Sequence, residues 1–419
     1  MKDQKSNFGK FLLLWSGELI SSIGGGLTSF GLGVYVFAST GSAASMSLIT
    51  LFGFLPTLLF SVPAGVLADR YDRRLLMMAG DGFSALGVVF ILICMMNGGA
   101  SVPQICAGVF ISAVFSSLLE PSFRATITDL LTGEEYSKAS GLVSLAGSAR
   151  YLISPVIAGF LLTVADIKLL LIIDICTFII TVSAAAVVKK SIPAQKTDAG
   201  GSFLESMKGG WKALADRKGV LMLVIVSSVI SMFMGMFQIL AEPMILSFSD
   251  AATLGTAETI CACGMLVSGI IIGIKGIKKH YVTILSAALV LSGLFMTGFG
   301  LTEHITTICI SGFMFFAALP FANNCLDYLA RTNIPDGLQG RAWGMIGFIS
   351  QLGYVIAYSV SGAAADAIGS ITGTGVGRGA AIVICAAGLF LAAAALCLPA
   401  SGSIRALEKT PAGGAVLKL

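Results

Sequence analysis

The chain has 419 residues, 56% of them hydrophobic and only 11% charged, with a formal net charge of +4. A soluble domain carries about 25% charged residues, and 26 basic and 22 acidic side chains cannot supply a polar skin for the several domains this length would make. A soluble enzyme, a disulfide-stapled secreted scaffold and a disordered chain are excluded, which leaves a polytopic integral membrane protein.

A membrane helix needs about 20 mostly apolar residues. In chain order, the apolar runs predict twelve spans, at 9–37, 42–67, 75–97, 103–126, 137–162, 168–188, 219–247, 253–274, 281–302, 305–331, 340–366 and 378–398. The runs are continuous rather than alternating, so a β-barrel is excluded. The first run is too long for a signal-peptide core, and no small-residue cleavage site follows it. With the N-terminus inside, every lysine and arginine falls on cytoplasmic segments or helix ends except Lys168 and Arg378 outside and Arg150 within a span. That asymmetry follows the positive-inside rule and places both termini in the cytoplasm. No basic stripe is interleaved with stacking aromatics, so nucleic acid is not an expected partner.

The longest polar stretch, 189–218, divides the chain into six-span halves, 1–188 and 219–419. Ser202 and Glu205 have capping-box spacing. Phe203, Met207, Trp211 and Leu214 then recur at helical spacing beside Lys208, Lys212, Arg217 and Lys218. This predicts an amphipathic helix on the inner leaflet that tethers the halves. A weak repeat supports the division: Gly141, Tyr151 and Gly159 match Gly344, Tyr354 and Gly362, and Pro121 matches Pro320. Parallel six-helix repeats are the layout of one large transporter class.

The nine cysteines all fall in spans without framework spacing and read as small buried apolar residues. The two histidines, His280 and His304, lie at opposite faces, so no metal, cofactor or nucleophile–His constellation is expected. No phosphate-binding loop G-x-x-x-x-G-K-[ST] occurs, and Gly369 to Gly379 reads as a flexible external loop. The protein is not expected to be an enzyme.

Between spans two and three the sequence runs Gly65-Val66-Leu67-Ala68-Asp69-Arg70-Tyr71-Asp72-Arg73-Arg74. Gly65 allows a close helix approach, Asp69 suits a helix N-terminus, and Arg73 is within reach of Asp129 at the inner end of span four. The run resembles the signature loop of the major facilitator superfamily, with Asp72 where that family usually has glycine. Trp15-Ser16-Gly17-Glu18, Gly53-Phe54-Leu55-Pro56, Ser154-Pro155 and Gly340-Arg341-Ala342-Trp343-Gly344 resemble its macrolide-efflux branch of drug/proton antiporters. The antiporter motif of span five keeps only Pro155 and Gly159, and the second-half loop copy keeps Gly273, Lys275, Gly276, Lys278 and Lys279 without the aspartate. The resemblance implies an all-α fold of two six-helix bundles. It also implies a conformational latch at Gly65, Asp69, Arg70, Arg73, Arg74 and Asp129, with Asp69 against the start of span eleven.

An ionisable side chain within the bilayer is costly and therefore a functional candidate. Glu18, near the middle of span one where relatives of the branch often have glutamine, is the first candidate for proton coupling, followed by Glu120 and Glu242. Arg124, one turn after Glu120, and Arg150 are candidate charge partners, Arg150 for Glu18 or Glu120. Asp174 lies in the outer part of span six, and Asp327 and Arg331 are spaced to pair. Trp15, Met232, Met236 and Phe237, with Met234, are candidate lining for a broad apolar cavity. The expectation is a monomeric, multi-pass transporter of the cell membrane whose partners are protons, lipid and a small amphipathic molecule, exported by alternating access. A specific metabolite such as a siderophore, proton-coupled import, and a non-transporting receptor or scaffold remain alternatives.

Overall fold

The computed structural model describes residues 7–132, 135–191, 211, 218–334 and 339–409. Among them there are helices and no strands, and twelve helical segments are long and apolar enough to cross a membrane. The chain divides into two compact units, residues 1–200 with 249–259, and 201–248 with 260–419. The interval predicted as an amphipathic linker helix lies, apart from Trp211 and its ends, outside the described residues.

In the first unit, α1 is Phe8–Thr40, α2 Ala43–Arg70 and α3 Arg73–Met96. Span four is two helices, α4 Val102–Ser116 and α5 Leu119–Leu130. Span five is likewise α6 Tyr136–Leu152 and α7 Ser154–Val164, and span six is α8 Ile167–Ser191. The sequence predicts one uninterrupted helix for each of spans four and five. The breaks precede Pro121 and Pro155, whose rings lack an N–H and clash with the carbonyl one turn back. α1 ends on Gly41, whose φ of 62° supplies a left-handed cap with its N–H donated to the Phe37 carbonyl. Residues 249–259 pack against the span-five break: Gly255 lies against the Pro155 carbonyl, and Thr259 Oγ1 donates to the Leu152 carbonyl at 2.9 Å.

The second unit holds α9 Lys218–Leu246, α10 Ala251–Lys275 beyond its first turns, α11 Tyr281–Leu301, α12 Ile305–Asn333, α13 Gln339–Thr372 and α14 Val376–Cys397. The predicted loop from Gly369 to Gly379 shrinks to residues 373–375. Gly373 and Gly375 turn the chain with φ of 66° and 86° while the flanking residues continue their helices. A short helix, α15 Gly402–Lys409, folds back: Asn333 Nδ2 donates to the Leu407 carbonyl at 3.0 Å, and Glu408 accepts from the Tyr281 N–H at 2.9 Å.

The two units repeat one packing scheme. α1 packs on α8 and on the two halves of span five, and α3 packs on α4 and α8. Correspondingly, α9 packs on α14 and α13, and α11 on α12 and α14. Small residues set these approaches. A Cβ on Gly293 or Gly388 would stand 2.5 Å from the other's carbonyl oxygen, and Gly87 and Gly108 meet the same way in the first unit.

Of the nine free cysteines, Cys106, Cys261 and Cys325 are buried as expected of small apolar residues. Cys176 and Cys397 instead face outward.

Candidate functional site

The signature loop is organised by its charges. Asp72, the residue that departs from the family pattern, caps α3: its Oδ1 accepts the Arg74 N–H at 3.0 Å. Arg73 Nη1 donates to Asp129 Oδ1 at 2.6 Å and to the Ala125 carbonyl at 2.9 Å, while its Nε donates to the Ala68 carbonyl at 3.3 Å. Arg74, 1% exposed, brings its Nη2 to 3.7 Å from Asp129 Oδ2. One carboxylate at the end of α5 thus draws two guanidiniums from the start of α3. Arg70 is exposed, and the Asp69 side chain lies outside what the structure describes. A Cβ on Gly65 meets nothing within 4 Å. The close helix approach expected there is absent from this conformation, in which that face of α2 borders open space among the described residues.

The candidate coupling carboxylates occupy three different settings. Glu18 is half-buried on α1 and makes no hydrogen bond or ion pair among the described residues. Glu120 is exposed and paired with Arg124, Nη2 to Oε1 2.8 Å, across one turn of α5. Glu242 is half-buried before Pro243 of α9. Arg150 is exposed, and no ion pair joins it to Glu18, Glu120 or Asp174 among the described residues. Gly26 of α1 lies against the end of α6, beside the Arg150 carbonyl and Ser154.

Sequence reasoning passed over several buried polar groups along the seam where α1, α3 and α8 meet. Asp81 on α3 is 3% exposed and Asp174 on α8 is 2% exposed. Thr28, Thr177 and Thr181 are buried with them. Asp81 stands between two glycines near the charged end of its span and has no partner in sequence, so no local pattern marks it. Asp174 was placed only in the outer part of span six, with no role assigned. The signal that would have found both is the rule that an acid within a span is a candidate by default. Glu258, half-buried one residue before Thr259, was missed for the same reason.

The candidate cavity residues separate. Trp15 is half-buried and anchored, its Nε1 donating to the Leu142 carbonyl at 2.6 Å. Met232, Met234 and Met236 are half-buried along one stretch of α9. Phe237 is 3% exposed and stacks on Phe315 at 4.5 Å between ring centroids, with Phe299 at 4.6 Å. It belongs to the aromatic core of the second unit and not to a cavity wall, because it falls on the α9 face turned to α11 and α12. Arg331 does not pair with Asp327 as its spacing suggests; its guanidinium lies over the Trp343 ring at 5.6 Å. Among the described residues no group of three or more histidine, cysteine, aspartate or glutamate side chains is placed to hold a metal ion.

The model of the Major Facilitator Superfamily matches residues 14–358. Macrolide efflux protein A of Streptococcus pyogenes is 26% identical over 374 residues, 86% of this chain and 90% of that protein. The multidrug efflux pump Tap of Mycolicibacterium fortuitum is 23% identical over 382 residues, again 86% and 90% of the two chains. Among solved structures, a variant of the nucleoside transporter NupG superposes with a TM-score of 0.77 at 12% identity, over 93% of this chain and 99% of that one. A bacterial homologue of the iron transporter ferroportin, in an inward-facing state, gives 0.72 at 12% identity over 95% and 100%. These two likenesses concern the fold.

Proposed function

Because the chain belongs to the Major Facilitator Superfamily, we propose that it is a proton-driven exporter of an amphipathic or hydrophobic small molecule. The protein sits in the cell membrane as a monomer with both termini cytoplasmic, and works by alternating access. The likeness to macrolide and multidrug efflux proteins along most of their length supports export and the substrate class.

The observation that carries the proton-driven reading is Glu18. An acid half-buried midway along a membrane span, with no ion-pair partner among the described residues, is costly to keep for packing alone. A proton that arrives there cancels the charge, and one that leaves restores it, so its occupancy biases the states between which the transporter moves. The Asp129, Arg73 and Arg74 cluster, with Asp69, Arg70 and Gly65, serves as the latch of one of those states. The half-buried methionines of α9 supply adaptable apolar lining for the substrate.

The test is transport in proteoliposomes against a panel of amphipathic compounds. Substrate accumulation that depends on an imposed pH gradient, accompanied by counterflow of protons, is the expected result. Accumulation indifferent to the gradient would remove proton coupling, and no transport of any compound would favour a scaffold.

A further inference from the structure

The two units join the ends of equivalent spans differently. In the first, the start of span one is tied directly to the end of span four: the Asn7 N–H, just before α1, donates to the Leu130 carbonyl of α5 at 3.0 Å. In the second, α15 stands at the equivalent place, between the start of span seven and the end of span ten. A Cβ on Gly219 of α9 would lie 2.8 Å from the Ser403 carbonyl oxygen and 2.9 Å from Leu407 Cγ. Asn333, 3% exposed at the end of α12, gives its amide to the Leu329 and Leu407 carbonyls at 2.9 and 3.0 Å. Ser401 Oγ, just before α15, donates to the Met222 sulfur of α9 at 3.3 Å.

A third helix is served from the same place. α11 starts after His280, whose backbone has a φ of 61° and whose side chain makes no cap. The first N–H of α11, that of Tyr281, is accepted at 2.9 Å by Glu408 Oε1, 127 residues on. A carboxylate there also meets the positive end of the helix dipole. Tyr281 in turn stacks on Tyr328 of α12, with ring centroids 3.7 Å apart.

The helix that makes these contacts cannot stand alone. It has eight residues, and an isolated helix shorter than about 12–15 residues is marginal in water. Ile404 and Leu407, one turn apart, are its two buried side chains, 0% and 9% exposed, and its other described residues are exposed. An element held by two apolar anchors and a few hydrogen bonds opens at a free energy well below that of global unfolding. Once released it is too short to remain helical, so the Glu408 cap and the Leu407 acceptor leave together.

We propose that α15 is a reversible strap on the second unit: docked, it fastens α9, α11 and α12 into one body; undocked, it frees α9 from α12 and uncaps α11. The strap depends neither on the substrate nor on the proton-driven reading above.

The test is hydrogen–deuterium exchange of the full chain in lipid nanodiscs, read by mass spectrometry on peptides covering 280–284, 330–334 and 402–408. In the wild type, 402–408 is expected to exchange faster than the middle of α9 and slower than an unfolded segment. Glu408→Ala deletes the cap and leaves both anchors. It should speed exchange of 280–284 and 402–408 together by about fivefold, the typical effect of losing a cap. Gly219→Leu fills the seat of α15 and should expose all three peptides while the middle of α12 stays protected. In a chain without the native cysteines, Gly219→Cys with Leu407→Cys places two thiols within disulfide reach. Oxidation should slow exchange of 402–408, and reduction should restore it. A wild-type 402–408 as protected as the middle of α9 overturns the strap, and this measurement stands if a variant misfolds. Faster exchange in 402–408 without any change in 280–284 on Glu408→Ala, or exchange of 402–408 indifferent to the disulfide, overturns it as well.

Discussion

Arg73 and Asp129 meet at 2.6 Å between the start of α3 and the end of α5, with side chains 13% and 10% exposed. An ion pair this sheltered contributes little net stability while intact, but removing one member leaves the other desolvated and costs about 3–5 kcal/mol when burial is complete. Asp129 holds Arg73 and stands near the buried Arg74, so it is the more costly member to lose. Asp129→Ala is expected to lower stability by about 3 kcal/mol, read as a fall in the thermal midpoint in detergent. The double variant Arg73→Met, Asp129→Leu should recover part of that loss. A midpoint unmoved by Asp129→Ala would show that the two arginines are solvated.

Asp72 gives a sharper comparison. Its carboxylate caps α3, and replacing such a cap by alanine costs typically about 1 kcal/mol, by glycine only a few tenths. Asp72→Gly, which restores the residue usual in the signature loop, should therefore be nearly neutral in stability and transport. Asp72→Ala should lower the thermal midpoint measurably. Equal losses for the two would mean that the turn conformation, and not the cap, is what Asp72 supplies.

The spans were legible because apolar run length alone determines them: the helices over 73–96, 251–275 and 376–397 start and stop within a few residues of the runs read from sequence. Pro121 and Pro155 were visible too, but whether a proline bends a membrane helix or divides it depends on which neighbours satisfy the freed carbonyls. The Arg73–Asp129 pair was legible because two short polar segments at one membrane face have few choices of partner. Asp81 was not, because the α8 residues it packs towards lie nearly a hundred positions on and no local pattern marks it. Phe237 was misplaced for a related reason. A helix apolar all round offers no moment to say which face meets the core.

Two glycines separate packing from motion. Gly24 sits directly on the Asp174 and Thr177 side chains, so Gly24→Ala must displace those buried side chains or push α1 from α8. Overpacking of this kind costs typically about 1–3 kcal/mol, and the thermal midpoint should fall accordingly. Gly65 borders open space, where alanine clashes with nothing and helix propensity favours it by about 1 kcal/mol. Gly65→Ala should therefore leave the midpoint unchanged or raised. If transport nevertheless falls, Gly65 is needed for a close approach in another state of the cycle; full transport would make it a bystander of the latch.

Glu18→Gln keeps the shape of the side chain while removing its charge, and so imitates the protonated state of a half-buried acid. A carrier fixed in that state still binds substrate and exchanges it downhill, because neither step needs the proton to leave. It cannot convert a pH gradient into accumulation. In proteoliposomes Glu18→Gln should retain substrate counterflow within about twofold of wild type and lose gradient-driven accumulation, a separation that a folding defect would not produce. Glu120→Gln is expected to behave differently. Glu120 is exposed and already paired with Arg124, and such surface pairs contribute typically about 0–1 kcal/mol, so its loss should slow proton entry without abolishing accumulation. The two phenotypes in the opposite order would move the coupling step to Glu120, and full gradient-driven accumulation in both variants would take it off both residues and leave Glu242 as the remaining candidate.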